Sequence, residues 1–81
     1  MNERTNTPVS PAAIMGAKVQ RVGSTDLLAM KDAPDFLING NTMQIWTLRT
    51  ELHHLAAQAS QAGSSIKTTL SNGDEIIVHP A

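Results

Sequence analysis

The sequence predicts an α+β fold: short helices, one long amphipathic helix and a C-terminal antiparallel β-hairpin, behind a disordered N-terminal tail. Three observations predict it. In "IWTLRTELHHLAAQASQAG" the apolar residues Ile45, Leu48, Leu52, Leu55, Ala59 and Ala62 recur at alternating spacings of three and four, which aligns them along one side of a helix. From Ile66 the period drops to two, with Ile66, Thr68 and Leu70 separated by Lys67 and Thr69. Asn72-Gly73 then follows this alternating run and marks a hairpin.

Taken in order, residues 1–16 mix Asn, Thr, Ser, Pro8 and Pro11 with little apolar content. Such a segment buries too little surface to offset its ordering entropy and reads as a flexible tail, leaving residues 17–81 as a single small α+β domain. Ala17–Gly23 carries Val19 and Val22, which fits either a short strand or a lead-in to the next element. A short helix is expected near 25–32. Ser24 or Thr25 would cap it, Asp26 would meet its positive end, Leu27, Leu28 and Met30 would form its apolar side, and Pro34 would stop it. A second piece near 34–39 starts at Pro34, a residue suited to the first helical position, and closes at Asn39-Gly40.

The long helix is expected over 42–62, with Asn41 as its cap, Gln44 reaching back in a capping box and Gly63 as its stop. Its alanine-rich C-terminal half should lie close against a flat surface such as the hairpin. The hairpin spans 65–79. A three-residue loop, Ser71 to Gly73 with Gly73 left-handed, sets Thr68 opposite Ile76 and Ile66 opposite Val78 on one apolar side. A two-residue turn would set Leu70 against Glu75 and mix the faces. The three-residue form is predicted. No repeat of solenoid length is visible.

Composition narrows the function classes. A chain of 81 residues with one Phe, one Trp, no Tyr and no Cys has a thin core and no disulfide or thiolate metal site. Small unstapled scaffolds commonly lean on a partner, so association, including a possible homodimer, is expected. The long helix offers fewer than three heptads, short of a coiled coil. Six Lys plus Arg against seven Asp plus Glu leave no basic footprint for nucleic acid or an anionic membrane. No apolar run is long enough to span a membrane, and the N-terminus has no basic region followed by an apolar stretch, so a cytoplasmic protein is expected.

Beside the apolar seam, Trp46, Arg49, His53 and Ala57 share a shoulder of the helix, while Thr47, Glu51, His54, Gln58 and Gln61 form its wet side. Trp and Arg combine large contact area with a polar handle and recur where proteins bind proteins. Trp46 could equally serve as a lid over the core. Burial under Phe36 or Val22 would favour the lid, and exposure beside Arg49 and His53 would favour docking.

Chemistry is weighed and set aside. His53 and His54 are neighbours, pointing about 100° apart on a helix, whereas helical metal ligands need spacings of three or four. His79 with Asp74 makes no ligand set. The serines sit in caps and loops, where local backbone bonding accounts for them. Asp32 with Asp35, and Asp74 with Glu75, fall at a helix end and a turn. "VGSTD" lacks the lysine of a phosphate loop, and a core this small leaves little room for a pocket of about 300 Å³. No enzyme activity, metal or cofactor is expected. The order of short helices, long helix and hairpin is also that of a winged helix, in which "SNGD" would tip the wing. Arg49 beside Glu51 on the helix, and an acidic tip, argue against a DNA-docking face.

With its brevity, its flexible N-terminus, one long Ala- and Gln-rich helix and a compact polar hairpin, the chain resembles the small accessory proteins of temperate, transposable tailed phages. That resemblance implies a non-enzymatic protein in the host cytoplasm that binds a host protein and blocks or redirects it. The targets it implies are pilus-assembly ATPases, transcription or quorum-sensing regulators, and CRISPR effector complexes. It carries over no functional residue.

Overall fold

The computed structural model of the chain describes residues 9–38 and 44–81. Among them the elements run α1 (Pro11–Met15), β1 (Lys18–Arg21), β2 (Leu28–Ala29), α2 (Ala33–Leu37), α3 (Ile45–Ala62), β3 (Ile66–Thr69) and β4 (Glu75–His79). The strands pair antiparallel in the order β2-β1-β4-β3, giving an α+β fold. The helix α3 packs on the β4 and β3 side of the sheet, and α1 and α2 pack against α3.

The core lies between these layers. Leu48, Leu52, Ala56 and Ala59 of α3 are fully buried against Val19 of β1 and Ile76 and Val78 of β4, with Met30 and Leu37 closing one end. Each large aliphatic side chain in that set contributes about 1.5–3 kcal/mol by leaving water. The buried line runs slightly around the helix from the predicted seam. Ala56 stands in its middle, Ile45 and Leu55 are half-buried flanks, and Ala62 is exposed. Ala62 is the last residue before the helix stops, where nothing remains to cover it. Gly63 ends α3 as expected, at φ 68°, its amide bonding the Ala59 carbonyl at 2.8 Å. The expected cap Asn41 lies outside the described residues, as does Asn39-Gly40. Gln44, expected inside the first turn, is observed as the N-cap of α3 with no side-chain cap bond, and the helix of 34–39 is observed as Ala33–Leu37.

The hairpin follows the predicted register. Ile66 faces Val78 and Thr68 faces Ile76. Gly73, at φ 94°, sends its amide to the Leu70 carbonyl at 2.9 Å, and the Leu70 amide bonds the Asp74 carbonyl at 2.8 Å. This is the three-residue loop, closed by a left-handed glycine.

Two expectations need correction. Residues 25–32 are not helical. Gly23, at φ 93°, turns the chain back after β1, Ser24 Oγ accepts from the Asp26 amide at 3.1 Å, and Leu28–Ala29 pair with Val19 and Lys18. A helix of two turns is marginal alone. Laying Leu28–Ala29 along an open edge of β1 satisfies that edge, buries Met30 and half-buries Leu28, and leaves Leu27 57% exposed. The segment read as a tail also folds further upstream than expected. Residues 11–15 form α1, capped by Ser10 Oγ accepting from the Ala13 amide at 3.1 Å, with Pro11 in the first turn. Residues 1–8 lie outside the described residues. Ala17–Gly23, left open between strand and lead-in, contains the strand β1, and Val19 is fully buried.

Candidate protein-docking surface on the long helix

Spacings of three and four place Trp46, Arg49, His53 and Ala57 in one stripe along α3, roughly 110° from the buried line. Trp46 is 70% exposed and is not a lid on the core. Its ring is held by Arg49, one turn on, whose guanidinium carbon stands 4.7 Å from the ring centroid. Such a contact contributes about 0.5–1 kcal/mol at an exposed site. It also restrains two long side chains. His53 is exposed and Ala57 is half-buried, so the stripe has a bulky end and a shallow end. All four predicted site residues thus stand on one face of one helix.

The opposite flank of α3 is less passive than predicted. Glu51, read as part of the wet side, holds the hairpin turn: Ser71 donates its amide to Oε2 at 3.2 Å and its hydroxyl to Oε1 at 2.9 Å. Asn72 donates to the Leu37 carbonyl at 2.9 Å, tying the same turn to α2, and its Oδ1 accepts from the Asp74 amide at 3.0 Å. Past this hook, α3 and the edge strand β3 enclose an open groove of about 380 Å³ lined by Thr50, His54, Gln58 and Thr68. That is more room than so small a core suggested, because the space lies beside the core rather than within it.

Two clusters escaped the sequence reading. Arg21, on β1, bridges to Asp74 at 3.2 Å and lies 5.2 Å from the centroid of the Phe36 ring, which is 53% exposed. Phe36 entered the sequence reading as a possible cover for Trp46, and its long-range partner Arg21 has no local sequence signal. The second cluster is on the open face of the sheet. Gln20 Nε2 donates to the Ser24 carbonyl at 2.7 Å, so its Oε1 accepts from His79 Nε2 at 2.8 Å. That assignment leaves His79 Nδ1 to accept from the Ser65 hydroxyl at 2.7 Å. The order is that of nucleophile, base and orienter. These contacts tie the start of β3 across β4 to β1. Among the described residues no group of three or more His, Asp or Glu could hold a metal ion, and no helix is long and apolar enough to cross a membrane.

Comparison with known protein families, with characterised proteins and with solved structures finds no match to this chain.

Proposed function

We propose that the chain is a non-enzymatic protein-binding module that docks on a partner through the α3 stripe of Trp46, Arg49, His53 and Ala57. The observation that carries this reading is Trp46. The largest side chain of a core-poor protein stands 70% exposed rather than filling the core. Exposing so much aromatic surface is costly in water, and the Arg49 stack presents it in one orientation. A partner that covers Trp46 removes that surface from water and keeps the guanidinium available for a carboxylate or carbonyl. In line with the resemblance to phage accessory proteins, we assign the partner to a host protein machine that the module blocks or redirects.

A second reading rests on topology. The strand β1 precedes α2 and α3 and pairs with β4, so the helices are flanked by a β1-β4-β3 sheet, the arrangement of a winged-helix DNA reader. Charge and geometry favour the first reading. In α3 the only Lys or Arg is Arg49, already laid on Trp46, and the hairpin tip is hooked to Glu51 and Leu37 rather than free.

Capture from cell extract by the tagged full chain, run beside Trp46→Ala, separates the two. The first reading expects one protein retained by wild type and lost by the variant at unchanged circular dichroism. Recovery of duplex DNA with a steep salt dependence, equal for both proteins, would establish the second.

A further inference from the structure

We propose that β3 is the seam of a homodimer: two copies pair their β3 strands antiparallel about a two-fold axis at Thr68, joining two four-stranded sheets into one of eight. This interface is separate from the α3 stripe and does not depend on the docking reading.

The edge itself comes first. Among the described residues β3 pairs only with β4 and so ends the sheet. The Leu70 amide bonds the Asp74 carbonyl, which fixes the alternation of the ladder: Thr68 and Ile66 exchange their backbone bonds with Ile76 and Val78. The amides and carbonyls of Lys67 and Thr69 therefore point away from β4. Among the described residues no backbone group bonds them. Both residues are exposed, and α3 stands off behind them across the open groove.

The occupant follows from self-complementarity. Free edges invite pairing, and a lysine on an edge is a common guard against it. Pairing about Thr68 satisfies the guard instead of colliding with it. Lys67 then faces Thr69 of the second copy, and the four outward backbone groups on each side match their counterparts. Thr69 is flanked within its own sheet by Glu75. The row across the seam reads Glu75, Thr69, then Lys67 of the other copy, which brings the lysine to about 10 Å from Glu75 between Cα atoms, within reach of its side chain. The two-fold axis makes this ion pair twice. Among the described residues, neither Lys67 nor Glu75 has an ion-pair partner within its own chain. On the other face Ile66, half-buried in one copy, comes to lie across from Leu70 of the second, and the two grooves open into one another.

The test uses the full chain, which has no cysteine of its own. Light scattering at high micromolar concentration should give twice the 8.7 kDa chain mass. Thr68→Cys should cross-link to itself under mild oxidation. Residues on the axis of a non-bonded pair sit about 4.5 Å apart, within the span of a disulfide; Asp26→Cys, on a remote loop, should not cross-link. Lys67→Pro removes an outward amide that β4 does not use, so it should yield a folded monomer. Lys67→Glu should weaken the dimer about tenfold, and adding Glu75→Lys should restore it. A wild-type mass of one chain would overturn the proposal. So would a dimer in which Thr68→Cys fails to cross-link, or one in which Lys67→Glu is not rescued.

Discussion

At the scale of single residues, stability rests on a few aliphatic side chains and one left-handed glycine in the hairpin loop. Leu52 is fully buried between α3 and the sheet. Leu52→Ala should cost about 2–5 kcal/mol, a large share of what an 81-residue chain holds in total, and should leave little cooperative unfolding signal in a thermal melt. Gly73, at φ 94°, has nothing near the place where a Cβ would sit, so Gly73→Ala should cost about 1–2 kcal/mol from backbone strain alone, read as a lower urea midpoint at unchanged slope. Trp46→Ala should behave in the opposite sense. The side chain is mostly in water, and the melting temperature should hold while partner capture is lost. A core lid would show the reverse pattern.

At the scale of elements, the hairpin is held from both sides. Glu51 holds Ser71, and Asn72 holds the α2 carbonyl of Leu37. Asn72→Ala removes the second tie and the Asx bond to the Asp74 amide, and should cost about 1–2 kcal/mol. Hydrogen exchange should localise the change: faster exchange at the Ser71 and Asp74 amides, with β1 and β4 amides unaffected.

These elements also mark where the sequence was legible. The 3.6 period of α3, its Gly63 stop and the register of β3 against β4 were readable because each depends on neighbours in the chain. Leu28–Ala29 was not, because the groups that favour helix locally are the same ones that pair with β1, and only the folded sheet offers that edge. Ser10-Pro11 did carry a cap signal before Ala12, Ala13 and Ile14, but the polar residues upstream outweighed it. Glu51 and Phe36 were misjudged for a shared reason: their partners lie 20 residues away at Ser71 and 15 residues away at Arg21. Of the candidate site, the stripe itself was legible from spacing. Its decisive property, the exposure of Trp46, depended on how α3 turns over the sheet.

At the scale of the whole molecule, a sheet with one helical layer among the described residues presents the α3 stripe, the β3 edge and the second sheet face. The first two lie on opposite flanks of α3, roughly 120° apart around its axis, so a dimer joined at β3 would carry two stripes. Such a dimer would hold a multivalent target more tightly than either stripe alone, an avidity that Lys67→Pro should abolish while single-site affinity stays.

The central claim is that the α3 stripe is what a partner covers, and the chain carries its own reporter for it. Trp46 is the sole Trp, and there is no Tyr. Titrating the captured partner, labelled with a tryptophan-free background, into the full chain while following Trp46 emission and acrylamide quenching is the most direct measurement. The account predicts a blue shift and protection from quencher that saturate together with binding. A partner that binds while the emission maximum and quenching of Trp46 stay those of the free chain would contradict it.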